Sequence, residues 1–432
     1  MIAKTKKISN YKQLKKELPT TRYVDPEYVY INMDTQRCKT CGLWVQEGDY
    51  VKLGQIIGER EGGFFKQPVY STVSGHVEKT VRKLDSSGKE VEFIKIRNDF
   101  KDTYDESITD RPESVIAKMT KEEIVEIVKE KALIGLGGAA FPTYIKLDTK
   151  EDIHTVVINA VECEPYLSSD YRLIMDHPEQ VFKGLQYLMQ ASGAKQGVVA
   201  VKKTKKELVE ILEREVERFK DLNIKIAKLA DFYPQGWEIE TFKGATGIKV
   251  PIGELPMKYG ILGFNVSTCQ SVFEAVKHNL PVVKRYVTVN GDAVNFPQSI
   301  RTRVGAQVKD LIRLSDGYKE GIDKVEVIIG GPMMGTSVET DDVVVTPTTT
   351  SVLIFENIDY DEEPCVRCGS CIYSCPVDIQ PVSIMNAVKR NDKKAIEALE
   401  AKKCIECGLC AYVCTSKIHV TDYVRKGKKL IG

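Results

Sequence analysis

Hydrophobic and polar positions change period several times along this chain. Between about residues 28 and 98, short runs alternate with period two and are punctuated by glycine, as in 45–58 (VQEGDYVKLGQIIG) and 68–77 (PVYSTVSGHV). That pattern predicts a small all-β module. At Thr120-Lys-Glu-Glu123, a capping box, the period becomes 3.6, and Ile124, Ile127 and Val128 form one apolar stripe of a helix. The continuous apolar run Thr155–Asn159 reads as a buried parallel strand. Helix 178–191, strand 198–201, helix 205–220 and strand 224–226 alternate after it, as in a layered α/β domain. Strand character returns at 282–292, which runs into an Asn-Gly turn, and at 325–335. Residues 382–399 read as one helix with Ile384, Ala387, Val388, Ala395, Ile396 and Leu399 turned inward. Between these stretches lie a Lys-rich arm (1–21), expected to be mobile or loosely docked, a charged linker (100–114) and a polar connector (346–350). The expected domains are therefore 1–103, 115–281, 282–345 and 355–425.

Charge narrows the function classes more than composition does. Sixty-two basic and 61 acidic side chains in 432 residues leave a formal charge of +1, so no global field favours nucleic acid. No run approaches the roughly 18 apolar residues of a spanning helix, and no apolar stretch follows the charged opening residues. The expectation is a cytoplasmic protein with no direct membrane insertion, held at a membrane only through a partner.

Cysteine supplies the strongest chemical signal. Eight of the 12 cysteines form two C-x2-C-x2-C-x3-C runs, Cys365, Cys368, Cys371, Cys375 and Cys404, Cys407, Cys410, Cys414. In this spacing three close thiolates hold one iron-sulfur cluster and the fourth ligates the other. Two [4Fe-4S] clusters follow: Cys365, Cys368 and Cys371 with Cys414, and Cys404, Cys407 and Cys410 with Cys375. Zinc ribbons use close pairs rather than triplets, and stapling disulfides belong to short secreted chains.

Cys38 and Cys41 form a separate C-x2-C pair. Alone it is half a zinc site. It also suits a redox dithiol, with Arg37 and Lys39 favouring the thiolate. A purely structural pair and a shared metal-ligand set stay open. Upstream of the α/β strands, Gly135, Gly137 and Gly138 let a backbone approach phosphate closely, and Pro142 suits the first turn of a helix. Asn159, Glu162 and Glu164 would fall beyond the carboxyl end of a parallel strand, where such domains bind ligands. Cys163 reads as a small packed residue, since no His nearby could serve as its base.

The blocks GLGGAAFPTYIKL (135–147), INAVECEPYLSSDYRLIMDHPE (158–179) and YPQGWE (233–238) resemble the RnfC family, the NADH-accepting subunits of ferredoxin:NAD oxidoreductases. Their flavin domain is similar to the NADH- and FMN-binding subunit of respiratory complex I. The resemblance runs from 25 to about 425. It implies a multidomain α/β architecture: a barrel-sandwich hybrid, a complex-I-like FMN/NADH domain, a β-grasp module of the soluble-ligand-binding type and a dicluster ferredoxin domain. It implies that Gly135, Gly137, Gly138, Phe141 and Lys146 cradle FMN phosphate and the entering nucleotide. Asn159, Glu162 and Glu164 would contact flavin and NADH. Asn265 and Thr268 match a flavin contact at a helix start, and Tyr233, Gly236 and Glu238 match a Y-P-Q-G-G-E block. Trp237 departs from that block, and an indole there could cover, stack on or exclude a flavin. In the cluster motifs Pro376 matches, whereas Thr415 takes the second proline's place.

These features imply an electron-transfer oxidoreductase passing electrons from NADH through FMN and two clusters to a partner reductase. Residues 34–41, with Cys38 and Cys41, look like the soluble branch of the family that serves D-proline reductase in amino-acid-fermenting anaerobes. The alternatives are a subunit of a membrane ferredoxin:NAD oxidoreductase working with other electron-transfer subunits, and a non-catalytic iron-sulfur wiring subunit without flavin.

Overall fold

The computed structural model describes residues 6–9, 11, 22–35, 38, 40–62, 65–357 and 361–432. Most of the arm (1–21) and both basic neighbours of Cys38, Arg37 and Lys39, lie outside the described residues.

The N-terminal module is two antiparallel sheets folded over one core. Its four-stranded sheet joins Tyr28–Asn32, Glu90–Asn98, Gly75–Leu84 and Tyr50–Val51, and its three-stranded sheet joins Thr40–Leu43, Ile56–Gly62 and Phe65–Tyr70. Val29, Ile31, Val51, Ile57, Val69, Val73, Val77, Ile94 and Ile96 alternate inward between them. Period-two patterning with one buried face produces this sandwich directly.

The central domain is a four-stranded parallel sheet in the order Ile224–Leu229, Gln196–Lys202, Thr155–Asn159, Ile261–Asn265. The chain enters at Thr155–Asn159, adds strands on one side and then crosses to place Ile261–Asn265 on the other. Helices Pro178–Ser192 and Val266–His278 cover one face, and Glu238–Thr246 covers the other. The two long helices touch where Gly184 faces Cys269: a Cβ on Gly184 would stand 1.9 Å from the Cys269 carbonyl oxygen. Cys269 is therefore a packing residue, and burial pushes its thiol pKa up. The capping box at Thr120 forms as expected, with reciprocal bonds between Thr120 and Glu123.

Next comes a six-stranded mixed sheet ordered Arg22–Val24, Gln298–Arg303, Lys284–Asn290, Ser351–Glu356, Val325–Ile329, Thr336–Val338, crossed by helix Val308–Leu314. Two of its strands come from unexpected places. Arg22–Val24 forms one edge, and Ser351–Glu356, just past the polar connector, pairs with both Lys284–Asn290 and Val325–Ile329 near the middle. Residues 382–399 form two helices, Pro381–Lys389 and Lys393–Ala398, rather than one. Asn391 takes a left-handed φ of 55°, and the Asp392 carboxylate then caps the second helix through the Ala395 amide. Among the described residues no helix is long and apolar enough to cross a membrane.

Candidate functional site

The parallel sheet reverses its order between Thr155–Asn159 and Ile261–Asn265, and the crevice beyond such a point is where α/β domains place ligands. Asn159 and Asn265 stand opposite each other in register at that end. Asn265 caps helix Val266–His278 by accepting from the Ser267 amide at 2.9 Å, and its amide nitrogen donates to Asp170 at 2.6 Å. Asp170 also accepts from the Ser267 hydroxyl, and its amide donates to Glu162 at 3.0 Å. Burial, and then the Glu162 charge, pushes the Asp170 carboxyl up to about 6.

The glycine loop hangs over this crevice. Its ends are pinned by Gly135 N to Phe141 O at 2.8 Å, and its centre by Leu136 N donating to the Thr268 hydroxyl at 2.9 Å. Gly137 packs against Asn265, where an added Cβ would sit 3.1 Å from the Asn265 Cβ, and Gly138 is left-handed at φ +109° with open space before it. Gly137 and Gly138 are exposed, so their backbone is uncovered above the strand ends. From behind, the buried Arg285 of the mixed sheet donates to the Leu136 and Pro347 carbonyls, and its Nε has no hydrogen-bond partner. Desolvation lowers its pKa to about 10. Nothing in its local sequence marks Arg285, because it arrives from another domain. Asp170 carries a weak local signal, the block that contains it.

Not every expected residue joins this crevice. Lys146 donates to Glu238 at 3.2 Å and to the Gly263 carbonyl at 3.1 Å, beside the sheet. The Asn159 side chain holds the Gly236 carbonyl at 2.9 Å, and Gly236 lies on Cys163. Glu164 reaches the mixed sheet, accepting from the Met333 amide at 3.1 Å and packing on Gly331. Tyr233 is 1% exposed, and its hydroxyl donates to the Cys407 carbonyl at 2.8 Å. Trp237 packs on the apolar core of the cysteine domain, which includes Cys375, Val377 and Ile379. The indole is thus engaged with the cysteine domain.

Both cysteine motifs repeat one backbone scheme. Arg367 and Glu406 are left-handed, as are Gly369 and Gly408 before the short helices Ser370–Tyr373 and Leu409–Tyr412. Cys365, Cys368, Cys371 and Cys414 line one cavity of about 420 Å3. Cys375 lies near enough to Cys404, Cys407 and Cys410 for its charge to raise the pKa of each. Burial dominates at this second site and pushes Cys407 up to about 12 and Cys410 to about 11. Four soft thiols around one space, three from one motif and one from the other, suit a cuboidal cluster. The two sites differ in cover: Cys365 and Cys368 are exposed, whereas Cys375, Cys407 and Cys410 are buried.

Cys38 is buried, and Cys41 is partly buried on Thr40–Leu43 with Arg60 opposite in register. Burial raises the Cys41 pKa more than the Arg60 charge lowers it, against the expectation of a favoured thiolate. Among the described residues no third Cys, His, Asp or Glu joins the pair as a metal-ligand group.

Fold and site together define a flavin and iron-sulfur electron-transfer protein. Residues 4–101 match the RnfC barrel sandwich hybrid domain, 128–274 the Nuo51 FMN-binding domain and 357–415 the 4Fe-4S dicluster domain. One subunit of the Na(+)-translocating ferredoxin:NAD(+) oxidoreductase complex of Acetobacterium woodii is 34% identical over 380 residues, 87% of this chain and 84% of that protein. The corresponding subunit of the proton-translocating ferredoxin:NAD(+) oxidoreductase complex of Clostridium ljungdahlii is 32% identical, covering 81% of this chain and 75% of that one. The chain belongs to the RnfC family. Among solved structures, a chain of the NAD+-reducing [NiFe]-hydrogenase in the H2-reduced state superposes with a TM-score of 0.51 at 17% identity, over 74% of this chain and 61% of that chain, a likeness of fold. FMN and [4Fe-4S] clusters are the cofactors of these domains, and the exposed glycine loop over amide-bearing strand ends and the two rings of four thiols fit them.

Proposed function

We propose that this protein carries electrons between NADH and a protein partner, with the Cys404 motif on the flavin side and the Cys365 motif at the point of exchange. One observation carries the reading: Tyr233, from the loop that Asn159 holds at the sheet end, donates to the Cys407 carbonyl at 2.8 Å, while Cys365 and Cys368 face solvent. A bound flavin accepts electrons from NADH as a pair and releases them singly to iron-sulfur centres. The protein's part is to hold and align. The glycine loop would offer uncovered amides to a phosphate, Asn265 would line the crevice, Asn159 fixes the neighbouring loop through Gly236, and Glu162 and Asp170 would supply its charge. Phe141 closes that loop through its carbonyl, which accepts from the Gly135 amide.

For the partner, relatives named as subunits of ion-translocating oxidoreductase complexes favour other electron-transfer subunits of such a complex, with this chain in the cytoplasm against its membrane part. The stretch around Cys38 and Cys41 favours a second reading, in which the pair is a redox dithiol serving D-proline reductase. Anaerobically purified protein, supplied with NADH, should reduce an artificial dye. Turnover of isolated D-proline reductase by wild type but not by Cys41→Ser, with dye reduction unchanged, establishes the second reading. Equal turnover by both proteins makes the pair structural, and dye reduction without turnover by either returns the assignment to the membrane-complex reading. Loss of dye reduction in fully loaded wild type overturns the electron-carrier reading itself.

A further inference from the structure

A cavity of about 180 Å3 lies between the N-terminal sandwich and the far side of the glycine loop, with Cys38, Tyr70, Gly138 and Pro142 in its wall. It is smaller than the roughly 300 Å3 at which drug-sized pockets begin, so it suits a small molecule. Its electrostatics are lopsided. Four cations line it: Lys66, Lys129, Arg60 and Lys131. Lys66 is paired with Glu59 and Glu61, and Lys129 with Glu126. Arg60 and Lys131 form no ion pair among the described residues. Arg60 donates to the Asn32 carbonyl, and Lys131, 6% exposed, stands over the Tyr70 ring at 5.5 Å. Burial lowers the pKa of both and outweighs the acidic groups nearest them, Asp34 for Arg60 and Glu130 and Asp105 for Lys131. The single carboxylate in the wall, Asp85, is engaged in its own turn by the Ser87 and Lys89 amides. The rest is largely apolar, with Ile31, Pro68, Leu133 and Val282 among the lining side chains.

We propose that this cavity binds a small organic anion, its carboxylate or phosphate head neutralised by the buried Lys131 and its body against the apolar wall that Cys38 shares. Desolvated cations gain most from a counter-ion that enters their own low-dielectric space, so charge sets the affinity and the apolar wall selects a carbon body. Occupancy would cover Cys38 and thereby regulate its access to thiol reagents.

The test uses the anaerobic holoprotein and three probes of similar size: phenyl phosphate, benzoate and neutral benzyl alcohol. Calorimetry should show saturable binding of at least one anion, about tenfold tighter than benzyl alcohol. The same anion should slow iodoacetamide labelling of Cys38, mapped by mass spectrometry. Lys131→Met should lose about tenfold in anion affinity and leave benzyl alcohol unaffected, with iron and flavin content as the folding control. Should Lys131→Met fail that control, Lys131→Gln takes its place with the same expectation. No saturable anion binding, benzyl alcohol as tight as the anions, or a folded Lys131 variant that binds anions like wild type overturns the proposal. Phosphate over benzoate, or the reverse, identifies the head group.

Discussion

Tyr233→Phe removes one oxygen from the contact between the flavin domain and the second cysteine motif. The ring is fully buried and stays so in the variant, so packing is preserved. What disappears is the hydroxyl donation to the Cys407 carbonyl at 2.8 Å, together with its interaction with Glu164. A net hydrogen bond contributes about 0.5–1.5 kcal/mol, and a buried acceptor left unpaired costs about 1–3 kcal/mol, so the interface should weaken by about 1–3 kcal/mol. Only two tryptophans exist, and Trp237 packs on the cysteine domain, so in a Trp44→Phe background its emission reports the opening of that contact. With an m-value of about 2 kcal/mol/M, the urea midpoint for Trp237 should fall by about 0.5–1.5 M. Electron paramagnetic resonance of the reduced protein should show one of two signals altered, since Cys407 belongs to one site. An unmoved midpoint, or both signals altered equally, would refute the placement of the second motif against the flavin domain.

Three further outcomes follow from the same geometry. Cys368→Ala should deplete one cluster and spare most of the other in an iron and sulfide assay, because three ligands of each site come from one motif; stoichiometric loss of both argues that the two sites fold as a unit. Asp170, whose pKa rises from 3.8 to about 6, keeps a proton in the folded state that the unfolded chain has released. Its contribution therefore opposes folding increasingly as pH rises across that window, by at most about 3 kcal/mol above pH 6. Asp170→Asn should flatten the decline in urea stability between about pH 4 and pH 7, and an unchanged slope would show that another group titrates there. Trp237→Gly should loosen the cysteine domain, read as faster cluster loss to a chelator, and leave the flavin content within error; a rise in flavin content would instead favour the covering role expected from the sequence.

Which parts of this molecule the sequence discloses depends on the range of the interaction. The cysteine motifs are local, and their spacing carries the ligand sets unaided. The capping box at Thr120 and the Asn265 cap are also local, since a side chain two or three residues away completes each. Expectation and structure part where a distant element decides. Polar Thr346–Thr350 reads as a connector, yet the strand beyond it is held near the middle of a sheet by partners about 25 and 60 residues upstream. Glu164 stands beside Glu162 in a block of apparent ligands, but Met333, from a different domain, takes its carboxylate. From the arm, expected to be mobile or loosely docked, the backbone of Lys6 pairs with Tyr233 and the ring of Tyr11 stacks on Tyr166 at 5.0 Å, contacts its local sequence does not mark. Arg37 and Lys39, the basic partners that adjacency suggests, lie outside the described residues; among the described ones, Arg60 from the opposite strand is a cation whose charge acts on Cys41.

The same distinction explains how two nearly identical motifs acquire different roles. Each has its left-handed residue, its glycine and its one-turn helix in the same order, so apart from Pro376 against Thr415 the local sequence and ligand chemistry hardly separate them. The covering surface does. A Cβ on Gly408 would stand 2.5 Å from the Met333 carbonyl, whereas one on Gly369 would meet only the ring of Tyr373 from its own motif, at 3.0 Å. Cys407 and Leu409 are closed in by Tyr233, with Met333 and Ile8 packed against them, while Val366 and Tyr373 remain more than half exposed. Because cluster potential depends on solvent exposure and on hydrogen bonding around the sulfurs, burial of one site and exposure of the other makes the pair inequivalent. Under the proposed function, the buried site faces this protein's own flavin domain and the exposed one is open to a docking partner. On that reading, the domains packed around the repeat, rather than the repeat itself, set direction and partner.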